Sequence, residues 1–428
     1  MPLFHLEDDA SLYERTQAYA RTAPISVVRD LETIITGNGL GVPPEKPIPD
    51  CLSQGLITEN LCHTLFDSLR SLPLKRYGLD IDPWEIRTKS PVLFAAFLLL
   101  GLLTIPALWD SKLHVDLYTH ARHLAEKVLL CSPLSLDTLR ALLLFAIWDL
   151  VPHEKERYID SWLMSGMGLV HGMLTIDTTS SDDSNNPARQ ASIDVWNALC
   201  LTHMQFVVGT GRPPVFSRTL LGDHVSDPQN YAIGSCSQAL AVQSQLYCIL
   251  YDLVISKSPR NFTFGGGPIE QWRETNRELI EADSSLGLAF AYSSAQLIHC
   301  RHTLKTLTDP TSDPSDLSLR MEEIETLTED LVGLSLDHSF EIMEIYLKCA
   351  TTDGMVRPAF ASLMCSTAAI TVVEFKEKLK SPSENFMLME QLRSCSWGNR
   401  RTDGVVDWAA NVIKTSVTEG MGARGTIS

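Results

Sequence analysis

The sequence predicts an all-α fold, and three observations predict it. Apolar residues recur at helical spacing through most of the 428 residues. No run shows the period-two alternation of a half-buried strand. Helix-opening pairs (Ser90-Pro91, Asn186-Pro187) and helix-stopping residues (Gly211, Pro213, Pro214) punctuate the apolar runs. The expected architecture is an irregular antiparallel array of roughly a dozen or more helices on short connections. The helix pairs vary in length without a fixed period, which excludes a regular solenoid.

Residues 8–36 read as a helix with charges on one side, and 37–49 (GNGLGVPPEKPIP) as a linker. Thr58 caps the next helix, which turns Leu61, Leu65, Ser68 and Leu69 inward. Turns follow, with Asp80 and Asp82 among them. Ser90 to Trp109 is a charge-free stretch of twenty residues, long enough to span a bilayer. Pro106 interrupts its far end and no second such segment exists, so a helix over 91–105 buried on all sides is the better reading.

His114 to Leu130 is amphipathic, and Ser132-Pro133 starts the following element, Leu136 to Val151. Asp137 lies where the positive helix start favours an acid. Tyr158 to Leu174 places Ile159, Leu163, Gly166, Val170 and Met173 on one face. Gly166, Gly168 and Gly172 lie within it, which predicts close approach of a neighbouring backbone. Residues 177–186 are a polar loop. Asn186 then caps a helix and Pro187 occupies its first position. Along that helix Trp196, Leu199, Cys200, His203 and Val207 share a face, and Gly209 and Gly211 end it.

Residues 218–229 read as irregular and Ile233 to Val254 as a helix. A loop covers 258–268, then one or two helices fill 269–307, and 309–316 is a break. Leu317 to Leu334 is a helix with Glu322, Glu323, Glu325, Glu329 and Asp330 off its apolar line. Two or three more helices follow, one opened by the capping-box pattern Ser381-Pro382-Ser383-Glu384. The tail from Gly420 reads as frayed.

Hydrophobic residues make up 44 % and charged residues 20 % of the chain, a globular balance. Basic residues number 35 against 52 acidic, a net charge of −17. That charge repels a phosphate backbone, and no basic patch offsets it, which argues against direct DNA binding. Ten cysteines stand singly with no Cys-x-x-Cys pair, as in a reducing compartment. The start, MPLFHLEDDA, has no signal-peptide plan.

The candidate chemistry is sparse. His120, His123 and Glu126 could line one helix face around zinc, but an isolated pair three apart reads better as a solvated face. Asp182-Asp183-Ser184-Asn185-Asn186 opens with two acids and lacks the third of a diphosphate-binding cluster. Gly265 to Gly267 and Gly209 to Gly211 lack the strand and the Lys-Ser or Lys-Thr of a phosphate loop. There is no Gly-x-Ser-x-Gly elbow and no His-Glu-x-x-His helix. No cofactor and no enzymatic activity are expected.

Taken in order, five stretches resemble the middle homology region of fungal zinc-cluster transcription factors. They are Gly55 to Phe66, Arg87 to Leu103 (RTKSPVLFAAFLLLGLL), Ser135 to Asp149 (SLDTLRALLLFAIWD), Trp162 to Leu174 (WLMSGMGLVHGML) and Trp196 to Phe216. The last carries the signature in which a tryptophan helix, here with Trp196, leads to Gly211, Arg212 and Pro213. The resemblance covers roughly residues 50 to 260 and implies a structural or regulatory role for those four residues. It implies transcriptional control in the nucleus, through the transcription machinery or co-regulator proteins. A homodimer, a small-molecule effector and a role in secondary metabolism are further options that it allows. The family's six-cysteine zinc cluster has no counterpart, because no cysteine precedes Cys51, so the chain is expected to lack that module. Arg212 is expected to pair with a carboxylate or with helix-terminal carbonyls. The expected division is 1–50 as helix and linker, 51–310 as the middle homology domain and 311–428 as a helical part on the same core. An all-helical small-molecule binder or enzyme is the alternative.

Overall fold

In a computed structural model, residues 49–72, 74–79, 82–130, 134–152, 159–176, 186–216, 236–255, 267–283, 286–308, 321–352, 357–379, 382–394 and 404–415 are described. The expectations for 8–36, 218–229, 309–316 and the tail lie outside them, as do those for most of the 37–49 linker. Among the described residues the structure is helical throughout, and the one extended pairing is an isolated antiparallel bridge between Trp148 and Pro358.

The first layer forms around the most apolar stretch. Helix α1 (Glu59–Ser68) begins where Thr58 Oγ1 accepts the Leu61 amide. Helix α2 (Pro83–Lys89) begins at Asp82, which caps the Trp84 amide at 2.9 Å. Helix α3 (Pro91–Leu103) is buried at every position from Val92 to Leu103. Helices α1 and α2, α4 (Lys112–Val128) and α5 (Leu136–Ile147) pack around it. The helical part of the twenty-residue stretch is thus only 13 residues long. It stops at Thr104, and Trp109 Nε1 donates to the Leu103 carbonyl to close the turn. Among the described residues no helix is long and apolar enough to cross a membrane. Gly101 lets α1 cross α3 at backbone distance: a Cβ there would lie 2.5 Å from the Leu65 carbonyl oxygen.

Helix α5 starts from Ser135, which caps the Thr138 amide, and ends at Ile147, short of the expected Val151. Trp148 leaves the helical conformation there to form the bridge with Pro358. A tertiary contact sets that boundary.

Helices α6 (Ser161–Thr175), α7 (Pro187–Thr210) and α8 (Cys236–Ile255) follow, each packed on the one before. Residues 268–308 hold three helices where one or two were expected: α9 (Pro268–Thr275), α10 (Arg277–Ala282) and α11 (Gly287–Thr308). Leu286, with φ of +57°, marks the break before α11. Helix α12 (Met321–Thr352) runs 32 residues and packs on α11 and α13 (Ala359–Glu374). Its acidic residues Glu322, Glu323, Glu325, Glu329 and Asp330 are exposed. Helix α14 (Pro382–Ser394) and a last helix over 404–415 complete the array, joined by Arg393 and Asp407 at 3.2 Å.

Helix α13 returns to the middle of the molecule. Phe360 sets its ring edge-on to Phe206 and Tyr247, and Gly209 leaves the space that Phe360 and Leu363 fill. Gly209 therefore lies inside α7 as a packing gap and does not end it, as the sequence had suggested. One hydrophobic cluster runs from Cys51 to Ile413.

Candidate functional site

Of the residues singled out by the resemblance, Gly211, Arg212 and Pro213 lie where α6 begins and α7 ends, while Trp196 packs against Gly172 near the other end of α6. Helix α7 opens as its sequence dictates: Asn186 caps the Ala188 amide at 3.0 Å and Pro187 takes the first position. It closes at Gly211, whose φ of +69° is a left-handed conformation that glycine adopts without strain. Trp196, Leu199, Cys200, His203 and Val207 are all buried.

The neighbouring helix packs differently from the expectation. Of the face read for α6, Leu163 and Val170 are exposed. Gly166 of that face is buried, together with Met164, Ser165, Gly168, Leu169, His171 and Gly172, and Ile159 and Met173 pack partly against the core. Side chains, not a backbone, exploit the glycines. A Cβ on Gly168 would lie 2.6 Å from Leu199 Cδ2, and one on Gly172 would lie 3.0 Å from Trp196 Cζ3. Glycines on the packed side of α6 make the room that the bulky Leu199 and Trp196 side chains of α7 need.

Beyond Gly211 the chain is tied down by four contacts. Asp160 caps α6 through Oδ1, which accepts the Leu163 amide at 3.0 Å. Its other oxygen, Oδ2, pairs with Arg212 at 2.6 Å. The Arg212 guanidinium also lies 5.3 Å from the Trp162 ring centre, in cation–π range. Trp162 Nε1 donates to the Pro213 carbonyl at 3.1 Å. The Val215 amide donates to His203 Nε2 at 3.0 Å. Gly166 makes that possible: a Cβ there would meet Val215 Cγ2 at 2.7 Å.

His203 is the buried centre of this clasp. Burial lowers its pKa to about 4, only partly offset by the Trp162 backbone, so the ring is neutral near pH 7. Since Nε2 accepts from Val215, the ring proton sits on Nδ1, which faces Ser165 Oγ at 3.2 Å. Ser165 in turn donates to backbone carbonyls of Ser161 and Trp162. A serine beside a histidine suggests a nucleophile and its base. Here the nitrogen facing the hydroxyl already carries a proton, and both side chains are fully buried. The pair is a strut that cannot activate the serine.

The other candidates separate in space. His120 is buried while His123 and Glu126 are exposed, and Glu126 accepts from Arg122 at 2.8 Å. Among the described residues no group of three or more histidines, cysteines or acids is placed to hold a metal. Asp82 is a helix cap, and Asp80, Asp182 and Asp183 lie outside the described residues. The clasp residues Asp160, Trp162 and Val215 carried no sequence signal of their partners. Only Asp160, three residues before Leu163, could be read as a cap.

A family model described as the transcriptional activator of proteases prtT middle domain matches residues 80–346. The chain belongs to that family. The prtT-type middle domain spans α2 to most of α12, with the whole clasp inside it. Relatives named "Transcriptional activator of proteases prtT" share this region. The one from Aspergillus fumigatus is 27 % identical over 310 residues, 69 % of this chain and 43 % of the relative. That from Aspergillus clavatus is 28 % identical over 219 residues, 48 % of this chain and 34 % of the relative. That from Aspergillus niger is 25 % identical over 290 residues, 65 % of this chain and 46 % of the relative. The prtT-type chain described here thus spans less than half the length of these curated relatives. No solved structure matches it.

Proposed function

We propose that this chain is the regulatory middle region of a fungal transcription factor and modulates transcription by RNA polymerase II in the nucleus. The match of the prtT middle domain to residues 80–346, enclosing the clasp, carries this reading. The relatives are named as activators of proteases, so genes for secreted or intracellular proteases are the first targets to examine. The chain acts through protein contacts, with the transcription machinery or a co-regulator, and not as an enzyme. Its net charge of −17 supports contact with proteins over contact with DNA.

The test joins residues 1–428 to an unrelated DNA-binding domain over a reporter in a filamentous fungus. Reporter output is expected to change, upward or downward, relative to the DNA-binding domain alone. Arg212→Ala is expected to alter that change at equal protein level. Output equal to that of the DNA-binding domain alone would refute the reading.

A further inference from the structure

We propose, independently of the transcriptional reading, that residues 24–36 of this chain dock along the outward face of α6 and cover it, running parallel to that helix. The face is apolar and exposed. Leu163, Val170 and Leu174 are 47 %, 39 % and 60 % exposed, and half-buried Met167 lies between them on the same side. Leu130, 91 % exposed, lies beyond the Leu174 end, on a turn held by His171 and Thr175 through the Leu129 and Leu134 carbonyls. Helix α6 itself holds no Asp, Glu, Lys or Arg. Together these five side chains present on the order of 400 Å² of apolar surface, within the range of patches that mark contact sites. That is about half of what each free partner buries in a stable complex.

A tether removes the shortfall, because a linked segment meets the face at a local concentration of about 1 mM. Residues 24–36 (PISVVRDLETIIT) supply the complementary stripe. At helical spacing Val27, Val28, Leu31, Ile34 and Ile35 fall within an arc of about 120°, while Arg29, Asp30, Glu32 and Thr33 fall outside it. Pro24 suits the first turn of a helix. A helix this short is marginal alone in water and is stabilised by burying such a stripe. Positions 24, 28, 31 and 35 repeat the spacing of 163, 167, 170 and 174, so the two faces match turn for turn. Reach sets the direction. Asp50 is anchored by Arg87 of α2 at 3.3 Å. Burial, then the His123 charge, lowers the pKa of His120, and the Asp50 carboxylate opposes them. Asp50 therefore lies within electrostatic range of mid-α4, on the order of 10 Å. From His120 the helix rises about 14 Å to Leu129, whose carbonyl accepts from His171 Nε2. The Leu174 end of the face is thus within roughly 30 Å of Asp50. Residues 37–49, rich in proline, span up to about 40 Å when extended. The Leu163 end is about 16 Å further along α6, outside that span. Ile35 therefore meets Leu174, Leu31 meets Val170 and Val28 meets Met167.

The test is cross-linking within the full chain. Ile35→Cys combined with Leu174→Cys, kept at about 1 µM under mild oxidation, is expected to form a disulfide within one chain. It should form at least about tenfold faster than with Ile35→Cys and Leu163→Cys combined, and mass spectrometry of the joined peptides separates it from the native cysteines. Leu174→Cys alone should react with a soluble maleimide at least about tenfold faster when Val28→Asp and Leu31→Asp are added, since the carboxylates cannot stay buried on an apolar face. Circular dichroism confirms folding, and Leu31→Gln replaces the two aspartates if they perturb it. Cross-links that join two chains, equal rates for the two cysteine pairs, or a Leu174→Cys thiol indifferent to the altered stripe would each overturn the proposal.

Discussion

Acidification should loosen the clasp before it unfolds the molecule, and His203 sets the size of the effect. The folded pKa of His203 is about 4, below its ordinary value of 6.5, because the neutral ring is buried. The unfolded chain therefore takes up a proton at higher pH than the folded one. The stability this group contributes is present above about pH 6.5 and is lost as pH falls toward 4. The full span corresponds to about 3 kcal/mol, at 1.36 kcal/mol for each unit. By pH 5 the loss relative to pH 8 is about 2 kcal/mol. Other groups titrate in the same range, among them His299, whose burial also lowers its pKa to about 4. His203→Gln isolates the contribution. A glutamine can accept from Val215 and donate to Ser165 without titrating. Urea unfolding of both proteins at pH 8, 6.5, 5.5 and 5 is the measurement. Wild type should lose about 2 kcal/mol more than His203→Gln between the first and last of these. Parallel pH profiles would refute the assignment of a neutral, proton-excluding His203.

Two further outcomes follow from the geometry. Gly101→Ala and Gly333→Ala should move stability in opposite directions, as read by thermal melting. The first places a methyl 2.5 Å from the Leu65 carbonyl oxygen, while the second meets nothing within 4 Å. The expected changes are a loss of about 1–3 kcal/mol from overpacking and a gain of up to about 1 kcal/mol from helix propensity. At the clasp, Arg212→Ala should cost about 1 kcal/mol, since its ion pair is partly exposed and its cation–π contact adds a little. Asp160→Ala should cost about 1 kcal/mol more, because it also removes the α6 cap. Denaturant titrations of the two single variants and the double variant measure the coupling, and equal losses for both single variants would count against the dual role of Asp160.

The parts of this fold written in local signals were legible in the sequence. Asn186 and Pro187 open α7, Gly211 closes it, and the all-round apolarity of Val92 to Leu103 predicts burial. These depend on a few adjacent residues. What depended on a distant partner was not legible. The end of α5 is set by Pro358, and the packed side of α6 is set by Leu199 and Trp196 on the next helix. Periodicity finds the apolar stripe of a helix but cannot say whether that stripe meets the core or the outside. The candidate site shows the same division. Arg212 stood out by its place in a signature, yet Asp160, Trp162 and Val215 became meaningful only once the fold brought them to it.

The order of packing along the chain has a kinetic consequence. Helices α6, α7 and α8 each dock on the preceding one, as do α12 and α13. Contacts between consecutive helices close shorter loops than those α13 makes to α7 and α8, so these runs form before it docks. Helix α13 differs, since Phe360 must come back past α9 to α12 to reach Phe206 on α7 and Tyr247 on α8. Its docking is the non-local, late event. Truncation at Phe360 should then speed unfolding and leave refolding nearly unchanged, whereas truncation at Leu199 should slow refolding. Chevron plots of the two variants separate these outcomes. During synthesis the α5–α8 run can be complete while the segment that locks it is still being made.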